Sequence, residues 1–323
     1  MPQPRSKAVP ENLEFTGERF TPECVREIRY EHFHRYAVAS DWLGGLKVLD
    51  AACGEGYGSH LIARNAREVT GIDISADAIA HATSRYTASN LEFLRADCCA
   101  TPFEDNSFDC IVSFETLEHL ENQEALLAEF RRLIRPKGFL VISSPDKAIY
   151  SDKLGNKNPY HVKELYKAEF EQRVTSQFPA IQILGQKLGF HSMIWPLLGQ
   201  GTGRFRIQQE SERAIQALQQ VSTEPVYLLA ICAESADCLP AINEDLFLFD
   251  DDSESVYRHY HHEIRHNMAA GEVLQGLEQK VEQLQAALDA ARGQAMQEDS
   301  ISQKQASDSW LSRIKQKFLH RPD

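Results

Sequence analysis

The residues of this chain best suited to chemistry begin with Val48-Leu49-Asp50-Ala51-Ala52-Cys53-Gly54-Glu55-Gly56-Tyr57-Gly58. The run reads as a short apolar strand, Leu46 to Leu49, a glycine-rich turn, and a helix from Ser59 to Arg67. Glycines let such a turn bend tightly and meet a ligand with no Cβ in the way. The following helix points its N-terminal amides at the turn. Asp73 ends the next apolar strand, Val69 to Ile74. A doubly wound nucleotide-binding unit places there the carboxylate that grips ribose hydroxyls. A second set of residues can handle protons. Glu115, Glu118 and His119 follow an apolar strand, and the two carboxylates, one helical turn apart, can converge with the imidazole on one point. His161 stands in a later loop, Asn158 to Glu164, and histidine is the usual proton acceptor near pH 7.

These residues need a frame, and the sequence supplies one. A glycine turn alone is a weak signal, because many strand-to-helix turns use glycine only for packing. Here it is followed by a third strand, Leu91 to Arg95, closed by Asp97. The turn Pro102 to Asp109 leads into a fourth strand, Cys110 to Phe114. A helix ending near Arg135 and the turn Pro136-Lys137-Gly138 precede a fifth strand, Phe139 to Ser143. Strand and helix alternate, with acidic residues at successive strand ends, as in an α/β doubly wound core. Further expectations are a loop over 146–159, a helix from Val162 to Arg173, and strands at Ile181 to Lys187 and Pro225 to Cys232. A helical insertion or lid is expected from Arg204 to Gln220. Ahead of the core, 1–22 reads as an irregular arm and Glu23 to Leu43 as a helix burying Val25, Ile28, Phe33, Tyr36, Ala37 and Trp42.

From Leu46 to Pro145 this succession resembles the class I S-adenosylmethionine-dependent methyltransferases, motif by motif. The resemblance implies a Rossmann-like seven-stranded sheet with helices on both faces, the seventh strand antiparallel. It implies S-adenosyl-L-methionine as cofactor, its methionine part and ribose cradled by Asp50, Gly54 and Gly56. Asp73 would bind both ribose hydroxyls, and Asp97 with Cys98 would lie against the adenine. Glu115 is expected on the cofactor side, and His161 and His119 as candidate bases. Two arginines and a tyrosine in Thr16-Gly17-Glu18-Arg19-Phe20 and Tyr30-Glu31-His32-Phe33-His34-Arg35-Tyr36, Arg19 among them, are expected to close over the cofactor and pair with its carboxylate. Ala52 departs from the family, which usually has a glycine there; alanine suits an ordinary negative φ.

The pattern Glu115-x-x-Glu118-His119 is similar to that of the ubiquinone-pathway O-methyltransferases, where it is associated with a divalent metal. The expectation is a site without metal, with Glu115, Glu118 and His119 as the ligand set if one binds. Asn158-Pro159-Tyr160 is similar to a motif of the DNA amino-methyltransferases, but that motif follows the fourth strand, where Phe114-Glu115-Thr116-Leu117 stands. The N-terminal pattern resembles methyltransferases of bacterial surface-polysaccharide (O-antigen) clusters, some with a C-terminal coiled coil. That implies O-methylation of a sugar or glycan. A quinone-type small-molecule O-methyltransferase and a coiled-coil scaffold in a polysaccharide assembly complex remain alternatives.

Composition bounds these readings. The chain has 323 residues, 42% hydrophobic and 25% charged, with a formal net charge of −13. Nucleic-acid binding draws on phosphate contacts, so this acidity argues against such a partner. Seven cysteines include no C-x-x-C pair and suit free thiols of a cytoplasmic protein better than disulfides or zinc. The first 20 residues lack the apolar region of a signal peptide, and no apolar run approaches the roughly 20 residues of a membrane span.

The organisation expected is 1–45 as arm and capping helix, 46–235 as the methyltransferase domain, and 236–271 as linker. Residues 272–296 then form a coiled coil, and 297–323 a polar linker and basic tail helix. Leu274, Leu277, Val281, Leu284, Leu288 and Ala291 recur at alternating spacings of three and four, a heptad seam. Trp310, Leu311, Ile314 and Phe318 share one face of the tail, flanked by Arg313, Lys315 and Lys317. Such a helix suits an anionic membrane surface or a groove on a membrane-bound partner, and the seam suits a homo-oligomer.

Overall fold

The computed structural model describes residues 27–194, 197, 205–211 and 214–319. They fall into two compact units that divide at Ser255.

The first unit opens with α1 (Glu27–Ser40) and is built on seven strands. These are β1 (Lys47–Ala51), β2 (Glu68–Asp73), β3 (Leu91–Arg95), β4 (Phe108–Ser113), β5 (Ile134–Pro145), β6 (Ala180–Gln186) and, late in the chain, β9 (Tyr227–Ala233). The sheet order is β3-β2-β1-β4-β5-β9-β6. β9 runs antiparallel to both its neighbours, while the β1, β2, β3, β4 and β5 pairings are parallel. The order reverses between β1 and β4, so the turns after these two strands border the crevice where ligands bind such sheets. The glycine turn stands on one side of it and Glu115 on the other.

Both sheet faces are buried, which is why the strands read as near-continuous apolar runs. Successive side chains still alternate. Leu49, Ile111, Leu140, Ile142 and Ala230 meet Leu126, Leu127, Phe130 and Leu133 of α4 (Gln123–Leu133) and Phe170 and Val174 of α5 (Lys167–Thr175). Val48, Val69, Val112, Val141 and Ile231 meet Tyr36, Ala39 and Leu43 in and just after α1, and Ile62 of α2 (Tyr57–Ile62). Each fully buried Leu, Ile or Phe contributes about 1.5–3 kcal/mol. α3 (Ala76–Arg85) packs by β2 and β3, its first turn closed by Ser75 Oγ, which accepts from Ala78 N.

Several sequence expectations are corrected. α2 begins two residues early and stops at Ile62 rather than Arg67. The 146–159 loop contains a wide helical turn, Ala148–Lys153. α5 starts at Lys167, not Val162, because Val162 and Lys163 give their N–H groups to Glu118 O instead. The insertion expected as helix between Arg204 and Gln220 is an antiparallel hairpin of β7 (Ile207–Ser211) and β8 (Ala214–Leu218). Ala52 sits at φ 56°, in the left-handed region, where its Cβ is unfavourable. Leu246-Phe247-Leu248-Phe249 does fold back onto the core: Phe247 meets Trp42, and Phe249 meets Tyr30 and His34.

The second unit is α6 (Ser255–Leu319), one helix of 65 residues. No linker interrupts it at 255–271 or 297–309, contrary to the expected division. The chain has no proline between Pro240 and Pro322 and is rich in Ala and Gln there, so no proline breaks the helix. Leu274, Leu277, Val281, Leu284 and Leu288 each remain at least half exposed along it. No described helix is long and apolar enough to cross a membrane.

Candidate active site

The glycine turn is held by hydrogen bonds from three directions. Asp50, wholly buried at the end of β1, accepts from Tyr36 OH at 3.1 Å and from Ser59 Oγ at 2.6 Å. Burial pushes its carboxyl up to about 6, against the pull of those two bonds. Gly54 N donates to Asp73 Oδ2 at 3.0 Å, and Ser75 N to Asp73 Oδ1 at 2.8 Å. Each Asp73 oxygen keeps acceptor capacity, which fits a pair of vicinal hydroxyls. Gly56 has φ 94°, and a Cβ on it would stand 2.7 Å from Ala82 Cβ and 2.9 Å from the Phe93 ring. Its role is packing the turn against α3 and β3. Glu55, also buried, ties the turn to α3 by accepting from Tyr86 OH at 2.8 Å and meeting His81 Nε2 at 2.9 Å.

Asp97 lies two residues beyond Arg95, the register partner of Asp73, and is exposed. Its Oδ1 accepts from Cys99 N at 2.8 Å, and Cys98 beside it is half-buried. Both therefore stand on the β3 side of the same crevice. Arg19 lies outside the described residues.

Across the crevice Glu115 closes β4 in a left-handed conformation, φ 50°. Two non-glycine residues, Ala52 and Glu115, thus carry backbone strain on the two sides of the switch point, and such strain concentrates at functional sites. Ser143 Oγ donates to Glu115 Oε1 at 2.6 Å, and Arg35 Nη1 lies 3.8 Å from the same oxygen. Arg35 is buried, gives Nη1 to Gln186 Oε1 at 2.8 Å, and stands 4.9 Å from the Tyr227 ring centroid. Its Nε and Nη2 have no hydrogen-bond partner among the described residues. Tyr227 OH donates to Glu31 Oε2 at 3.2 Å. Burial raises the Glu31 carboxyl to about 7.

Glu118 is wholly buried in the short helical turn Leu117–His119. Oε2 accepts from Ser144 Oγ at 3.4 Å, and Oε1 has no partner among the described residues. Burial, then the nearby Glu115 carboxylate, pushes its carboxyl well above the ordinary range. The two candidate bases stand together, ring centroids 5.0 Å apart. His119 Nδ1 gives its hydrogen to Tyr160 O at 3.0 Å, and His161 Nδ1 gives its own to Glu164 Oε1 at 2.5 Å. Tyr150 lies 5.4 Å from the His161 ring.

The metal set expected from sequence is not assembled as written. Glu115 is taken by Ser143 and Arg35, and His161 replaces it: Glu118, His119 and His161 can each bring one ligand atom within 4.8 Å of the others. Glu31, Glu164, Gln186 and Tyr227 were not singled out by sequence reasoning. Only the Glu164 pairing had a local signal, its three-residue spacing from His161.

A sheet of this order, with a glycine turn and strand-end carboxylates around its switch point, defines a nucleoside-binding α/β fold, here with a carboxyl-rich cluster across the crevice. Comparison with known proteins narrows the class. Residues 49–142 match a family described as a methyltransferase domain. The chain is 31% identical over 245 residues to a probable S-adenosylmethionine-dependent methyltransferase of Mycolicibacterium smegmatis, covering 74% of this chain and 93% of that one. It is 37% identical over 169 residues to a probable S-adenosylmethionine-dependent methyltransferase of Mycobacterium tuberculosis, 51% of this chain and 60% of that protein. A Thermotoga maritima S-adenosylmethionine-dependent methyltransferase of solved structure, a possible histamine N-methyltransferase, aligns with a TM-score of 0.46 at 13% identity, over 64% of this chain and 90% of that one. The chain belongs to the S-adenosylmethionine-dependent methyltransferases, and S-adenosylmethionine is its cofactor.

Proposed function

We propose that the chain methylates a hydroxyl oxygen of a sugar in a glycan, in the biosynthesis of a bacterial surface polysaccharide. The bound cofactor supplies a methyl group on a sulfonium, already electrophilic. Asp73 would hold the ribose hydroxyls, Asp50, Gly54 and Gly56 would shape the turn around the ribose and methionine, and Asp97 and Cys98 would border the adenine. The protein's remaining tasks are to align the acceptor, exclude water and take one proton. Alignment can be worth up to about 7–11 kcal/mol.

The observation that carries the acceptor class is the set of unpartnered polar atoms around Glu115. Arg35 Nε and Nη2 and Glu118 Oε1 are buried without partners among the described residues. Buried polar groups left unpaired are costly, so they favour a ligand that brings its own donors and acceptors. A polyhydroxylated sugar does so on several sides. The carboxyl oxygens of Glu118 and Glu31 can accept from such hydroxyls, and Glu31, raised to about 7 by burial, can also donate when protonated. Tyr150 and Tyr227, with ring centroids 6.0 Å apart, add aromatic surface. His161 takes the proton in this reading, oriented by Glu164, with His119 beside it.

The exposed seam of α6 from Leu274 to Leu288 supports self-association as a coiled coil, testable by light scattering. Trp310, 63% exposed near its end, supports docking of the basic tail on an anionic membrane or a membrane-bound partner at its cytoplasmic face, testable with vesicles and a tail variant. The acceptor test is incubation with methyl-labelled cofactor and a panel of glycans and quinols. Label on a glycan supports the reading, label on a quinol replaces it, and cofactor binding without transfer to either leaves the scaffold role.

A further inference from the structure

The first turns of α6 carry a motif with no part in methyl transfer. His262-Glu263-Ile264-Arg265-His266 is an H-E-x-x-H sequence, and His259 precedes it by three residues. Four of the chain's 12 histidines thus fall within the eight positions 259–266, a density that composition alone does not give. All eight lie in one unbroken helix, Ser255–Leu319. At about 100° per residue, His259, His262, Glu263 and His266 share roughly 100° of arc. His262 and His266 stand one turn apart on it. His261 lies across the helix, where it stacks on Tyr257 with ring centroids 5.9 Å apart.

Side chains four apart on a helix have Cβ atoms about 5–6 Å apart. Two imidazoles at that spacing can turn a ring nitrogen each onto one ion, at about 2.0–2.1 Å for zinc. His262, Glu263 and His266 are exposed, and none makes a hydrogen bond or ion pair among the described residues. Their ring nitrogens are open to a ligand. Glu263 adds a carboxylate on one margin of the arc; Arg258 and Arg265 flank the other, on side chains long enough to turn into solvent. Imidazole suits zinc, copper and nickel, whereas magnesium and calcium take oxygen ligands. In metalloproteases the same motif binds zinc on a helix, with its glutamate as general base. Hydrolysis also needs a further protein ligand and a cleft that excludes water, and an exposed helix face has no such cleft. The arrangement suits binding, not hydrolysis.

We propose that His262 and His266 chelate a zinc ion that clamps the opening turns of α6. Residues 261–300 are exposed throughout, so packing does not hold this part of the helix. Helices without packing are marginal, and an ion shared by residues 262 and 266 ties one turn to the next.

The test uses the full chain without an affinity tag, freed of metal by a chelator. Titration calorimetry with zinc chloride should show one more equivalent for wild type than for the His262→Ala/His266→Ala double variant. Glu118, His119 and His161 are common to both proteins, so an ion held there cancels. Either single variant should weaken that equivalent tenfold or more. His261→Ala should leave it unchanged, and magnesium chloride should not replace zinc. Zinc should slow amide hydrogen exchange over residues 257–266 in wild type and not in the double variant. Unchanged binding of S-adenosylhomocysteine shows that each variant is folded. The inference is overturned if the double variant binds as many equivalents as wild type, if His261→Ala weakens binding equally, or if zinc leaves exchange over 257–266 unaltered. Half an equivalent per chain with dimers formed would overturn it too, by making the ion a bridge between copies. The measurement needs no acceptor, so its failure is separate from failure of the glycan reading.

Discussion

His161 gives its Nδ1 hydrogen to Glu164, 2.5 Å away, and so carries its lone pair on Nε2. This is the geometry of an oriented general base. His161→Ala should lower kcat by about 10²–10⁴ with little change in cofactor affinity. Glu164→Gln, which keeps an acceptor but removes the charge, should lower kcat less. Steady-state kinetics at saturating cofactor would check both, and a His161→Ala enzyme within a few-fold of wild type would move the base elsewhere.

Glu31 makes stability depend on pH. Its folded pKa is raised from 4.5 to about 7, chiefly by burial. A carboxyl of this kind stabilises the fold below its unfolded value and loses that contribution as pH rises through its folded value. Stability should therefore decline between pH 4.5 and about 7 on its account, by up to about 3 kcal/mol. Glu31→Gln keeps an acceptor for Tyr227 OH and should be more stable than wild type at pH 8, yet nearly equal at pH 4.5. Denaturant unfolding at the two values would check this, and parallel pH profiles would count against a buried Glu31.

Ala52 adopts φ 56° at the crevice. A left-handed alanine costs about 1–2 kcal/mol, and glycine gives back about 0.5–1 in chain entropy. Ala52→Gly should then stabilise the protein by roughly 0.5–1 kcal/mol. A melting temperature unchanged or lowered in Ala52→Gly would contradict this.

Arg35 and Glu115 form a buried pair, with side chains 1% and 16% exposed. Removing one partner of such a pair costs about 3–5 kcal/mol, because the other charge remains buried. Arg35→Met and Glu115→Gln should each destabilise, and the double variant should cost less than the sum by about 0.5–3 kcal/mol. Urea unfolding of the four proteins would measure the coupling, and strict additivity would mean the two charges do not sense each other.

The glycine turn and the strand-end carboxylates were legible in the sequence because they are local. Asp50, Gly54 and Gly56 share one turn, and Asp73 and Asp97 end strands whose apolar patterns announce them. The strands could be read for the same reason, whereas the antiparallel last strand followed only from the family resemblance. The cluster across the crevice is built by residues distant along the chain: Glu31 on α1, Glu118 after β4, Gln186 on β6 and Tyr227 on β9. No spacing rule joins them; only the crossover of β9 between β5 and β6 does. The 207–218 hairpin misled because Ile207, Ile215 and Leu218 fit both periods over so short a run. Ala52 misled because side-chain size says nothing of the sign of φ.

The atom that receives the methyl group tests the account most directly. The enzyme would be supplied with S-adenosylmethionine carrying a carbon-13 methyl and with surface-polysaccharide acceptors, and the product's carbon–proton correlations recorded. The account predicts a labelled O-methyl ether on a sugar carbon, lost in His161→Ala. Label appearing as an N-methyl, a C-methyl or a carboxylate ester would contradict it.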